Sequence, residues 1–264
     1  MSLTVGVVGA GRMGLPIIGH LARKGFATLA SDVNAAKQAE VEKRGATWRA
    51  DLRGECDIVL VCVGFDRQVI ELFEGGFAPR PDGIVAVLST VHPRTVQELS
   101  RKYQASGMAI IDSTVCRGGT AADQGTLLSF VGGSADVVAR ITPVLRAYSA
   151  DVVHTGEVGS AQVAKAANNL ILWACLVADH EALALAKRFG VDIDMLRRAL
   201  QMSSAANDAL SKWGTQTMAW AEDDMEIVAA MAAECGIALP QAGVTREICR
   251  ALKPRRYKLD EYGA

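Results

Sequence analysis

The chain has 264 residues, 50% of them hydrophobic and 22% charged, which excludes disordered, collagen-like and small disulfide-stapled chains. With 28 Lys and Arg against 29 Asp and Glu the net charge is −1; no long block of like charges appears, and a short basic patch lies around Lys253, Arg255 and Arg256. Nucleic acid and anionic membrane are therefore not expected as partners, and the length suggests two domains.

The stretch 3–8 reads as a strand that passes directly into a glycine-rich turn, without the basic leader and cleavage pattern of a secretory signal. Short apolar runs then alternate with helical patterns as far as residue 157, the signature of a parallel sheet covered by helices. Strands are expected at 3–8, 26–31, 58–63, 84–89, 108–112, 127–131 and 152–154. Helices are expected at 15–24, 35–44, 66–73, 93–104 and 135–148. The fold class is thus α/β, a doubly wound Rossmann-type sheet over 1–157. From 158 to 264 the period is helical throughout, starting with a long helix over 160–189 of roughly 45 Å. Lys165, Asn168, Asn169, Asp179, His180 and Glu181 interrupt it too often for a lipid-spanning segment. Shorter helices follow at 194–202, 206–220, 224–235 and 240–252. Six cysteines, without a Cys-x-x-Cys pair or a neighbouring histidine, signal neither metal site nor disulfide framework, and fit a reducing, cytoplasmic compartment.

The run "VGVVGAGRMG" places Gly9, Gly11 and Gly14 in a G-x-G-x-x-G between strand and helix. Gly9 allows the tight turn, Gly11 lets backbone approach a pyrophosphate, and Gly14 lets helix and strand pack closely. Asp32, 18 residues beyond Gly14 at the end of the second strand, can accept both ribose hydroxyls. Its charge opposes a 2′-phosphate, so NAD is expected over NADP. Asp32 also reads as a helix cap, although Asn34 is the better candidate.

On the long helix Gln162, Lys165 and Asn169 fall on one face, with Asn168 beside them. A partly desolvated lysine can act as acid or base near neutral pH; taken bare, Lys165 is more often a snorkelling cation than a catalyst. The segment "DSTVCRGGTAADQGTL" follows a strand and offers glycine N–H groups to an anion, with Arg117 able to clamp a carboxylate bidentately. Cys116 and Arg117 also read as a packing residue and a solvated cation.

Four blocks in order, "GVVGAGRMG", "STVHPRT", "DSTVCRGGTAADQGTL" and "GEVGSAQVAKAANN", make the chain resemble the β-hydroxyacid dehydrogenase family over nearly its whole length. The resemblance implies that Gly9, Gly11, Arg12, Met13, Gly14, Asp32, Val63 and Thr90 bind the dinucleotide, with Thr90 near the nicotinamide ribose. Lys165 would be catalytic, Asn169 would orient substrate, and Cys116, Arg117 and Gly118 would receive the carboxylate of a small acid, in a cleft between a Rossmann domain and a helical domain. Three departures stand out: Cys116-Arg117-Gly118 replaces the usual Ser-Gly-Gly, Asp223-Asp224-Met225 aligns with a Lys-Asp-Leu block, and the region 213–222 is shortened. The expected reaction is hydride transfer between NAD and a 3-hydroxy acid. Imine reduction, 6-phosphogluconate oxidation and non-catalytic dinucleotide binding are the rivals. The apolar helical half suggests a homodimer or homotetramer.

Overall fold

The computed structural model describes residues 3–263, and the chain divides into two compact units, Met1–Lys165 and Ala166–Ala264. In the first unit β1 (Thr4–Val8), β2 (Ala27–Ser31), β3 (Thr47–Trp48), β4 (Ile58–Val61), β5 (Ile84–Val87), β6 (Ala109–Asp112), β7 (Val115–Cys116), β8 (Leu127–Gly132) and β9 (Ser149–Gly156) form one sheet. Its order is β3-β2-β1-β4-β5-β6-β8-β7, with β9 paired to β8. The strands from β3 across to β6 are parallel, whereas β8 runs antiparallel to β6 and β7. A parallel crossover takes a dozen or more residues. The segment from Arg117 to Thr126 is shorter than that, so the sheet is mixed at this edge rather than parallel throughout.

The strands read as unbroken apolar runs because both faces are covered. Ile58 and Leu60 of β4 join one buried cluster with Ile84 and Ala86 of β5; the alternate residues Val59, Val61, Val85 and Val87 join another on the opposite face. Helix α1 (Gly14–Arg23) contributes Ile17, Ile18 and Leu21, all fully buried, each worth about 1.5–3 kcal/mol. Pro16 lies in its first turn, where a missing N–H costs nothing. Helices α2 (Gln38–Lys43), α3 (Asp66–Glu74), α4 (Pro93–Tyr103), α5 (Gly118–Gln124) and α6 (Ala135–Leu145) complete the layers.

Helix α7 (Ser160–Arg188) has 29 residues, and the division between the units falls within it. Among the described residues it is the one helix long and apolar enough to cross a membrane. Its buried polar side chains Gln162, Asn169, Asp179 and His180 nevertheless each make a hydrogen bond within the protein. The second unit continues with α8 (Ile193–Gln201), α9 (Asp208–Ser211), α10 (Ala221–Cys235) and α11 (Pro240–Leu252). Trp173, Leu176 and Val177 of α7 pack with Met225, Val228, Cys249 and Leu252. The helix expected over 206–220 shrinks to α9, because Gly214 at φ 85° turns the chain out of the helical region soon after Lys212.

His180 is fully buried, with its ring centroid 4.5 Å from that of Trp213 and 5.3 Å from that of Tyr257. Nε2 accepts the Tyr257 N–H at 3.3 Å, so the neutral ring carries its proton on Nδ1 and donates it to the Leu176 carbonyl at 2.7 Å. Burial holds this imidazole below its ordinary range, against the opposing pull of the Leu176 bond. The unfolded chain takes up a proton here as pH falls through about 6.5, and the folded ring resists it. Stability therefore declines as pH drops below that point until the folded ring titrates in turn. Chemical denaturation at a series of pH values should show this decline, and His180→Gln should flatten part of it.

Candidate functional site

The turn after β1 shows which glycines the protein itself requires. Gly9 has φ 98° and donates its N–H to the Ser31 carbonyl at 2.8 Å. A Cβ on Gly9 would strike the Cys62 carbonyl oxygen, and one on Gly14 would strike that of Gly9. Gly11 differs: a Cβ there meets nothing within 4 Å, and the residue is exposed. The fold needs no glycine at this place, whereas a pyrophosphate lying against the backbone does. The space at Gly11 and the N-terminus of α1 thus fit a dinucleotide.

Asp32 follows β2 and turns back toward this loop. Its Oδ2 accepts the Ala10 N–H at 2.7 Å and its Oδ1 the Asn34 N–H at 2.8 Å. Asn34 caps the 3₁₀ turn Ala35–Lys37 through Ala36, and the carboxylate of Asp32 bridges the glycine loop and the Asn34 N–H ahead of that turn. Met13 packs partly buried against the core at the start of α1. Arg12 reaches over Gly119 and forms a bidentate pair with Asp123, at 2.9 and 2.7 Å, joining the glycine loop to α5.

The Val63 N–H donates to Ser89 Oγ at 2.9 Å, which ties the segment after β4 to the one carrying Thr90. Beyond β6, Cys116 is buried in β7, and Arg117 and Gly118 follow with φ 84° and 76°. The left-handed region costs a non-glycine residue about 1–2 kcal/mol, so glycine would be the easier residue at 117. The Arg117 guanidinium is engaged inside the protein, donating to Asp151 Oδ2 at 2.6 Å and to the Thr126 carbonyl at 3.1 Å. The fork expected to clamp a carboxylate therefore already has an acidic partner.

The first turn of α7 is bolted to the ends of the sheet strands. Asp112, fully buried at the end of β6, accepts the Gly159 N–H at 2.7 Å and the Gln162 N–H at 2.9 Å. Burial raises the affinity of this carboxyl for a proton, partly offset by those two donors. Thr114 Oγ1 donates to the Ala161 carbonyl at 2.9 Å. The Gln162 side chain accepts the Val91 N–H at 3.0 Å and donates to the Ser89 carbonyl at 2.8 Å.

One turn further, partly buried Lys165 donates through Nζ to the Val115 carbonyl at 2.8 Å, with Cys116 Sγ at 4.0 Å. The structure thus brings Lys165 and Cys116 together. Asn169, one turn beyond on the same helix, is buried and its Oδ1 accepts from Asn168 at 3.0 Å. Asp112 and Thr114 escaped the sequence reading. The available signal was an acid closing the otherwise apolar strand "AIID" immediately before two hydroxyl residues. Asp224 accepts from Trp173 Nε1 at 2.9 Å, and Met225 is core, so this block is built into the helical unit. Among the described residues no cluster of three His, Cys, Asp or Glu side chains is placed to hold a metal ion.

Residues 4–156 match the family model described as the NAD binding domain of 6-phosphogluconate dehydrogenase. Residues 159–261 match that described as NAD-binding of NADP-dependent 3-hydroxyisobutyrate dehydrogenase. The chain is 30% identical to 3-hydroxyisobutyrate dehydrogenase of Pseudomonas aeruginosa over 78% of its own length and 72% of that protein. With the human mitochondrial 3-hydroxyisobutyrate dehydrogenase the identity is 29%, over 76% of this chain and 62% of the relative. The fold is similar to that of the Mycobacterium tuberculosis 3-hydroxyisobutyrate dehydrogenase solved with L-serine, at TM-score 0.86 and 21% identity, covering 97% of this chain and 95% of the other. An imine reductase from Myxococcus stipitatus gives TM-score 0.70 at 20% identity, with coverage of 99% and 97%.

The contrast between glycines is testable. Gly11→Ala should leave the unfolding free energy within about 0.5 kcal/mol and weaken NAD binding by at least about tenfold in a fluorescence titration. Gly14→Ala should cost roughly 2–4 kcal/mol of stability.

Proposed function

Because the chain belongs to the β-hydroxyacid dehydrogenase family of NAD(P)-dependent oxidoreductases, we propose that it interconverts a small 3-hydroxy acid and its semialdehyde or 3-oxo acid, using NAD, with Lys165 as general acid and base. The observation that carries this reading is the Lys165 amine, partly buried, 2.8 Å from the Val115 carbonyl and beside the Cys116 thiol on an anchored helix turn. When bound, the nicotinamide accepts or supplies the hydride. In oxidation neutral Lys165 takes the hydroxyl proton; in reduction its ammonium returns a proton to the forming alkoxide. Asn169, on the same helix, orients the reacting oxygen, and the Cys116–Gly118 segment receives the acid group. Arg117 meets the substrate carboxylate in competition with Asp151, which already accepts from its guanidinium. Arg12, Met13, Val63 and Thr90 line the dinucleotide path with the three loop glycines.

Support for NAD over NADP comes from Asp32, whose carboxylate lies against the glycine loop. A phosphate brought to about 4 Å of it would be opposed by several kcal/mol before screening. Self-association through the helical unit is part of the same reading, supported by the exposed Ile171, Leu185, Phe189 and Met202. A cytoplasmic setting accords with the free thiols of all six cysteines.

Lys165→Met should retain NAD binding within about twofold and lose roughly 10²–10⁴-fold in kcat against a panel of 3-hydroxy acids, followed by absorbance of the reduced nicotinamide. Near wild-type turnover in that variant would remove the lysine from the chemistry. Asp32→Ser should reduce the preference for NAD over NADP in kcat/KM by at least about tenfold, corresponding to about 1.4 kcal/mol.

A further inference from the structure

Gln162 is 1% exposed, and its amide makes two bonds to main chain 71 and 73 residues away in sequence. Its acceptor takes the Val91 N–H and its donor meets the Ser89 carbonyl, the two residues that flank Thr90. One side chain therefore closes on the backbone around Thr90 as an adjacent strand would. The main-chain N–H of the same residue is held by Asp112 Oδ2 at 2.9 Å, and Ser89 Oγ accepts the Val63 N–H at 2.9 Å. Lys165 sits three residues further along the helix, on the same face. The loop bearing Thr90 and the turn bearing Lys165 are thus joined through a single buried amide, in an orientation set by its partners: an N–H can meet only the oxygen, and a C=O only the NH₂.

We propose that Gln162 is a positioning residue, a buried clamp that fixes the Thr90 segment against the turn of α7 carrying Lys165. The clamp sets the distance between the bound nicotinamide and the proton-transferring amine. This rests on the reading of Lys165 given above. Adenosine-side binding depends on the glycine loop and Asp32 and lies outside the clamp, so loss of Gln162 should fall on turnover rather than on dinucleotide affinity. Small displacements of reacting groups are costly because the reaction needs a near-attack geometry.

The test uses full-length wild type, Gln162→Leu, Gln162→Glu and Lys165→Met, assayed with NAD and whichever acid of a 3-hydroxy acid panel the wild type oxidises fastest. Gln162→Leu should lose about 10²-fold in kcat while its Kd for NAD changes less than about fivefold. Gln162→Glu separates positioning from mere packing. Ionised, its second oxygen faces the Ser89 carbonyl and the clamp is broken; protonated, it donates to Ser89 and accepts from Val91 as the glutamine does. Among ionisable residues, Asp112 accepts the main-chain N–H of residue 162, Lys165 lies three residues further along the helix, and Asp66 accepts the His92 N–H next to the clamped segment. A carboxyl buried beside Asp112 titrates far above its ordinary range. The kcat of Gln162→Glu relative to wild type should therefore rise at least about tenfold between about pH 9 and about pH 6. A ratio that stays flat across that range overturns the clamp, as does Gln162→Leu turnover within about threefold of wild type in a folded protein. Should Gln162→Leu fail to fold, the pH ratio of Gln162→Glu decides alone. Loss of activity in Lys165→Met together with normal Gln162 variants sinks only the clamp; retained activity in Lys165→Met sinks the reading of Lys165, and the clamp with it.

Discussion

A buried carboxylate holds the start of α7. Asp112 gives up solvent entirely and accepts two main-chain N–H groups of the first turn, from Gly159 and Gln162. A negative charge at a helix N-terminus is favoured by the orphan donors and the helix dipole together, which offsets part of the desolvation cost that still raises its proton affinity. Truncating such a group would leave the donors buried and unpaired, at about 1–3 kcal/mol each. Everything on the next two turns, Lys165 included, inherits its position from this junction. The position of the Lys165 amine is thus set by the Asp112 carboxylate at the end of β6 and by the main chain of the Ser89–Val91 segment that holds Gln162.

The glycine loop separates residues whose bare Cα the fold requires from one where it does not. Gly9 and Gly14 have no room for a side chain, whereas a side chain on Gly11 would meet open space. The reverse occurs at Arg117, where a bulky residue occupies a left-handed conformation that glycine would adopt freely. Its strain is set against an ion pair to Asp151, an exposed contact worth about 0–1 kcal/mol. The guanidinium also donates to the Thr126 carbonyl, so two contacts within the protein hold this strained residue in place.

Much of the first unit could be read from the chain because a doubly wound sheet writes itself in local signals: β-branched runs, glycine punctuation, proline at a helix start. The glycine loop, Asp32 and the stripe of Gln162, Lys165 and Asn169 were legible for the same reason, since each depends on spacing within one element. Over 118–124 the pair Gly118 and Gly119 points to a loop, and a seven-residue helix stands there instead. The helix expected over 206–220 is confined to Asp208–Ser211, because the residue types carry a helical period on where the backbone, with Gly214 in the left-handed region, leaves it. Asp112, Thr114 and the partners of Gln162 were not legible in any local pattern, because their bonds span 47 to 73 residues. The pairing of Arg117 with Asp151 is of the same kind: residue type suggested a free fork, and only the tertiary fold supplied the carboxylate.

The central claim is that one amine on α7 moves the proton. Its most direct measurement is chemical rescue: turnover of Lys165→Ala with NAD and a 3-hydroxy acid in the presence of small primary amines of graded basicity. The account predicts that rate rises with amine concentration and that its sensitivity follows amine basicity, as general base catalysis requires. Full turnover by Lys165→Ala without any added amine would contradict it.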